Sequence, residues 1–153
     1  EIPDGAMEAL LTTPPKLATP ISVQFGKAIE LVEVSLPKTV RRGETATMTL
    51  TWKASARPPK GWKVFAHFEK SPGQASKGGR FTADHKPPRP FSWWSTGQFI
   101  RYGQPVNTAQ NQSLGYYDLW FGIYRGSERM SVTTEGIEVV DRRVKLATIE
   151  VVP

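Results

Sequence analysis

The stretch TATMTLTW, residues 45 to 52, alternates strictly between threonine and apolar side chains. A period of two places the two sets on opposite faces of a strand, and threonine suits both strand geometry and solvent. Short runs of the same kind recur, as in WKVFAHFEK and LGYYDLWFGIYRG, between turns rich in glycine and proline. No segment shows the apolar spacing of a helix of about 12 residues or more. The chain is therefore predicted to be all-β.

The predicted organisation is one domain preceded by an arm. Residues 1–24, which contain the short helical run AMEALL and the segment TTPPKLATP, are predicted to form a flexible N-terminal arm or linker. Residues 25–153 are predicted to form seven to nine antiparallel strands. Each sheet of such strands has one apolar face that must be buried. Without helices, the apolar face of a second sheet is what can cover it, so the predicted architecture is an antiparallel β-sandwich.

Two strands are predicted to be irregular. In AIELVEVSL the apolar positions change phase after Leu31, which indicates a β-bulge or a strand that switches sheets. In QFIRYGQPVNT, Gly103 and Pro105 predict a break, because proline cannot donate to a strand ladder.

Composition excludes several function classes. The net charge is +6, but the basic residues are scattered and no block of five or six occurs, so a specific nucleic-acid partner is not expected. No apolar run approaches the roughly 18 residues of a transmembrane helix. The chain has no cysteine, and it shows neither a G-x-S-x-G elbow nor a phosphate-binding glycine loop. We therefore predict a protein that is not an enzyme and that carries no cofactor.

The two histidines are the residues on which a metal site in this chain would depend. His67 and His85 are the only imidazoles, and Asp84 is the nearest carboxylate along the chain. Convergence of these three residues would suggest a metal site, although zinc and copper usually take three or four protein ligands. We predict instead that imidazole hydrogen bonds brace the proline-rich loop and that no metal is bound.

The segment ADHKPPRPFSWWSTGQ, residues 83–98 and hereafter the strap, ends in adjacent tryptophans. Side chains of neighbouring residues in an extended segment point in opposite directions. We predict that Trp94 is buried and anchors the strap, and that Trp93 is more exposed.

The aromatic residues suggest a ligand-binding surface. Sugars stack their C–H faces on indole and phenol rings while their hydroxyls bind polar side chains. The candidate contacts are Asp84, His85, Arg89 and Trp93 in the strap and Tyr116, Trp120 and Tyr124 on one face of the strand that follows Gly115. The alternative is that loops cover the same rings and make them an ordinary second core.

Two segments resemble strands of the immunoglobulin fold. RGETATMTL is similar to its second strand, and LGYYDL is similar to its penultimate strand. Leu50 and Leu119 then stand where antibody domains place their cysteines, and Tyr117 corresponds to the corner tyrosine. The resemblance implies an immunoglobulin-like sandwich without the disulfide.

A longer pattern, over roughly residues 40 to 152, resembles β-sandwich domains appended to bacterial membrane glycosyltransferases and other cell-envelope proteins. It consists of VFAHFE, ADHKPPRP, the Trp94–Gln98 segment and LGYYDLWFGIY. The resemblance implies an accessory module in the cell envelope, periplasmic or extracellular. A glycan or envelope polysaccharide is the first expected partner. The alternative is a structural or protein-interaction domain without a small-molecule site.

Overall fold

The computed structural model describes residues 2–74 and 79–153, and within these ranges the chain is all-β. Its strands are β1 (Leu10–Leu11), β2 (Val23–Phe25), β3 (Ile29–Ser35), β4 (Thr39–Arg41), β5 (Thr45–Ala54), β6 (Lys63–Lys70), β7 (Phe81–Thr82), β8 (Phe99–Asn107), β9 (Gly115–Arg125), β10 (Glu128–Arg129), β11 (Val132–Thr134), β12 (Val139–Val140) and β13 (Arg143–Val152). A 3-10 turn covers Phe91–Trp93. The described ranges contain no helix that could span a membrane.

The strands form two sheets. Sheet A has the order β1-β8-β5-β3-β2-β11, and sheet B has the order β12-β13-β9-β6-β7, with β10 added to β9 and β4 added to β13. Pairing is antiparallel except between β4 and β13, which run parallel. The described ranges hold thirteen strands against the predicted seven to nine. The excess consists of strands of two or three residues, which are too short to show a period in the sequence.

One core joins the two sheets. Strands β5 and β9 face each other with fully buried side chains: Met48, Leu50 and Trp52 from β5, and Tyr117, Leu119 and Phe121 from β9. The ring centroids of Trp52 and Phe121 are 5.7 Å apart. The predicted alternation of both strands is confirmed. Burying each such side chain contributes about 1.5–3 kcal/mol.

The N-terminal segment packs against sheet A. Ala6 and Ala9 are buried, and β1 pairs with β8 through Leu10 and Ile100. The run AMEALL forms turns over residues 6–9 and then enters β1, and β2 begins at Val23, inside the predicted arm. The two-residue strand that docks on the edge of sheet A has no detectable periodicity, so the sequence does not indicate it.

The strap lies along the edge of sheet B and then covers the core. His85 pairs with Val64, and the Ala83 N–H donates to the Ala66 carbonyl at 2.8 Å. Trp94 is fully buried, and its Nε1 donates to the Arg89 carbonyl at 3.0 Å, whereas Trp93 is 36% exposed. The predicted division between the two tryptophans is confirmed.

Candidate functional site

Alternation along the strap and β6 places the two histidines on opposite faces of sheet B. His85 pairs with Val64, which is fully buried, so the His85 ring is directed inward. His67 lies three residues further along β6 and faces outward with Asp84. The inward and outward residues therefore belong to two separate groups.

The outward group forms a cleft beside the turn between β9 and β10, hereafter the hairpin cleft. Its volume is about 330 Å³. It is lined by Phe65 and His67 of β6, Arg80, Asp84 of the strap, Tyr124 of β9, and the hairpin residues Gly126, Ser127, Glu128 and Arg129. The cleft size falls within the range of small-ligand sites.

Hydrogen bonds fix the His67 ring on one wall of the cleft. Its Nε2 lies 3.3 Å from Asp84 Oδ1, and its Nδ1 lies 3.4 Å from an Arg80 guanidinium nitrogen. A guanidinium only donates, so Nδ1 accepts and Nε2 carries the proton that is shared with Asp84. Asp84 is held in turn by the Ala66 N–H at 2.9 Å. Both nitrogens of His67 are therefore engaged.

The floor of the cleft is aromatic and depends on a glycine. The Phe65 ring lies over Gly122 of β9, where an added Cβ would come within 2.3 Å of Phe65 Cε2. Tyr124 meets the Phe65 ring edge-on, with centroids 6.1 Å apart. The Arg129 guanidinium lies 5.2 Å from the Phe65 ring centroid. Phe65 is thus only 3% exposed, and Tyr124 is the half-buried ring at the cleft.

The cleft offers both signs of charge and both hydrogen-bonding roles. Arg80 and Arg129 are donors, and Asp84 and Glu128 are acceptors. Asp84 is 38% exposed at its side chain, which leaves it accessible to a ligand. This set of groups suits an uncharged polyhydroxyl compound, whose hydroxyls both donate and accept.

Two of the predicted contacts therefore come together: Asp84 and Tyr124 both line the cleft. Trp120 lies on the same outer face, but the Arg143 guanidinium covers it at 4.5 Å from the ring centroid. Arg143 is fixed there by an ion pair with Glu69 at 2.8 Å. Tyr116 is 47% exposed at the start of β9 and is not among the residues that line the cleft. Of the three predicted rings on this face, Trp120 is thus covered by an arginine.

The remaining predicted contacts have structural partners. His85 Nε2 lies 2.7 Å from the Tyr102 hydroxyl, so this imidazole braces the strap against sheet A and does not face the cleft. Arg89 donates to the Ala6 carbonyl at 3.0 Å and holds the N-terminal segment. Its guanidinium lies 5.6 Å from the Trp93 ring centroid, and neither residue lines the hairpin cleft.

The three candidate metal ligands do not converge. His67 and Asp84 are adjacent, but His85 is directed to the core. Within residues 2–74 and 79–153, no group of three or more histidine, cysteine or acidic residues is placed to hold a metal. That purified protein lacks a bound metal stays a prediction for elemental analysis.

Sequence reasoning did not identify Arg80, Glu128 and Arg129 as site residues. Arg129 and Glu128 belong to the turn RGSERM, which the sequence marks only as a hairpin. Their position over the sheet follows from the pairing of β10 with β9, which returns the chain across Tyr124. An acidic and a basic residue beside a tight turn are too common to identify a site.

Comparison with known proteins identifies no relative. No protein-family profile matches this chain, and no curated protein matches it. A solved structure that is similar to it is a β-glucosidase from Listeria innocua, with a TM-score of 0.39 and 15% sequence identity. The match covers 80% of this chain and 16% of the enzyme, so the chain spans about a sixth of that protein. At this TM-score the likeness identifies neither a shared fold nor a shared activity.

Proposed function

We propose that this chain is a non-catalytic, glycan-binding module that holds its ligand in the hairpin cleft. The observation that carries the proposal is the grouping of Tyr124 with Asp84, His67, Arg80 and Arg129 in one open cleft of about 330 Å³. An aromatic ring offers a stacking surface, and the charged groups offer strong hydrogen bonds to hydroxyls.

Binding is favoured over catalysis by the state of His67. A general base needs a nitrogen that is free to take a proton from its substrate or nucleophile. Here Nδ1 accepts from Arg80 and Nε2 is turned to Asp84. Ser127 lines the same cleft, yet neither imidazole nitrogen is turned to it as a triad would require. The cluster therefore serves as a rigid polar wall.

The proposed fold is an immunoglobulin-like sandwich. The orders β3-β5-β8 and β13-β9-β6 correspond to the A-B-E and G-F-C orders of that fold. The Tyr117 hydroxyl donates to the Ser113 carbonyl at 2.6 Å, as a corner tyrosine does. Leu50 and Leu119, at the positions of the two cysteines, are both fully buried.

The proposed location is the bacterial cell envelope, periplasmic or extracellular. Its support is the sequence resemblance carried by VFAHFE, ADHKPPRP and LGYYDLWFGIY. A glycan or envelope polysaccharide is the ligand class that would be available there. The module would then act as an accessory to a partner that acts on the same polymer.

A glycan array tests the proposal when it is probed with wild-type protein and with Asp84→Asn. The substitution keeps the size of the side chain and removes its charge, and we expect the affinity for the bound glycan to fall by about tenfold, or 1.4 kcal/mol. Glu135→Gln, an exposed charge change beside β11 of sheet A, is the matched control and should bind normally.

Tyr124→Ala should also lose binding, and thermal melts must show that each variant is folded. Equal binding by Asp84→Asn, Tyr124→Ala and wild type would contradict the assignment of the site. If no glycan binds, the alternative of a structural or protein-interaction domain takes its place.

A further inference from the structure

A second cavity lies beside the start of β6, between the N-terminal segment, the β5–β6 loop and the strap; it is hereafter the strap groove. Its volume is about 550 Å³. Its walls are mainly apolar, with Trp62, Phe91 and the prolines of the strap among them. Because proline fixes the backbone, these walls are preformed and lose little entropy when a ligand binds.

The rim of the strap groove is basic. Lys60, Lys63 and Lys86 line it, and all three are exposed residues. Asp4 is the acidic residue that lines it with them. The groove therefore combines an apolar interior with a net charge of about +2, which complements an anionic head group.

Trp62 forms part of the groove wall with its ring, which is half-buried. Its indole Nε1 is buried and is therefore closed off from a ligand in the groove. Arg125 lies 4.5 Å from the ring centroid of Trp62 and donates to the Lys60 carbonyl, which holds the ring and the loop in place.

We propose that the strap groove binds a small apolar carboxylate. The apolar body lies against Phe91 and the strap prolines, and the carboxylate pairs with the rim lysines. Such a ligand matches both features of the groove, because its chain suits the apolar walls and its negative charge suits the lysines. This site is separate from the hairpin cleft and does not depend on the glycan proposal.

Octanoate is the probe, with octanamide as its neutral counterpart. In a two-dimensional 1H–15N spectrum the Trp62 indole signal is identified as the one that is lost in Trp62→Phe. Octanoate should shift this signal, because the Trp62 ring lines the groove, and it should bind at least about tenfold more tightly than octanamide. A Trp62 signal that stays still at saturating octanoate, or equal affinity for the two probes, would overturn the proposal.

Variants at the rim test the charge without touching the walls. Lys60→Gln and Lys86→Gln should each weaken octanoate binding by about threefold or more and leave octanamide binding unchanged. Lys38→Gln, an exposed lysine just before β4, is the matched control and should behave as wild type. An acidic peptide that binds where octanoate does not would assign the groove to a protein segment and overturn the small-molecule assignment.

Discussion

His85 and Tyr102 join the strap to sheet A through a hydrogen bond of 2.7 Å between Nε2 and the tyrosine hydroxyl. The opposite nitrogen, Nδ1, lies 2.8 Å from the Ala83 carbonyl and must therefore donate. Nε2 then accepts from Tyr102, whose oxygen also accepts from Trp52 Nε1 at 3.3 Å. The chain thus closes its core with a connected set of polar groups.

Removing the Tyr102 hydroxyl should destabilise the protein. Tyr102→Phe leaves His85 Nε2 and Trp52 Nε1 without their partner, and an unsatisfied buried polar group costs about 1–3 kcal/mol. Chemical denaturation measures the loss. Tyr116→Phe removes a hydroxyl from an exposed residue and should not change the stability. If Tyr102→Phe were as stable as wild type, the buried bond would contribute no stability.

The same network predicts a pH dependence. Burial lowers the pKa of His85 from its ordinary 6.5, against smaller opposing effects of the Ala83 hydrogen bond and the Asp84 charge. A lowered pKa means that the unfolded chain takes up the proton first. The stability contribution is therefore complete above pH 6.5 and is lost as the pH falls through the folded-state pKa.

Urea denaturation of wild type and His85→Gln at a series of pH values between about 7.5 and 5 isolates this contribution. Wild type should lose stability on acidification more steeply than the variant. Parallel curves would show that His85 titrates alike in the folded and unfolded chains.

The strand interiors were predictable from sequence because burial follows a period of two. TATMTLTW and LGYYDLWFGIYRG both place the expected faces in the core, and the bulge expected after Leu31 appears as a register shift between Leu31 and Glu33. The expected break near Pro105 is absent, since β8 runs from Phe99 to Asn107. There β1 pairs only with Phe99 and Ile100, and proline is tolerated where a strand has a free edge.

The candidate site was less predictable, because it depends on which loops return over which face. Asp84 and Tyr124 were identified from residue type, and they meet because the strap pairs with β6 while β9 lies on the other side of β6. His85, one residue from Asp84, is directed to the opposite face. A shift of one residue in the pairing of the strap with β6 would exchange the faces on which Asp84 and His85 lie. No local sequence signal specifies this register.

The tryptophan pair should respond unequally to truncation. Trp94→Ala removes a fully buried ring that packs on Trp52 and Phe91, so we expect a loss of about 3–5 kcal/mol. Trp93→Ala removes a partly exposed ring and its contact with Arg89, so we expect about 1 kcal/mol or less. Thermal melts compare them, and two equally severe losses would mean that both rings belong to the core. Loss of glycan binding in folded Trp93→Ala would move the site to the strap.

Gly122→Ala should disturb the hairpin cleft by displacing the Phe65 ring that forms its floor. The new Cβ would come within 2.3 Å of Phe65 Cε2, so the ring must move and Tyr124 and Arg129 lose their support. Overpacking of this kind costs about 1–3 kcal/mol, and glycan affinity should fall as well. Gly79→Ala is the control, because a Cβ there has no atom within 4 Å. Adding Phe65→Leu to Gly122→Ala should restore stability; a failure to do so would place the strain elsewhere.

A two-dimensional 1H–15N titration of wild-type protein with a glycan that it binds on the array shows where the ligand lies. The amides of Gly126, Ser127 and Arg129 should shift together as the cleft fills, while the Trp93 indole signal stays in place. Shifts confined to Trp93 and the strap, or saturation without any change at the hairpin, would contradict the claim that the hairpin cleft is the binding site.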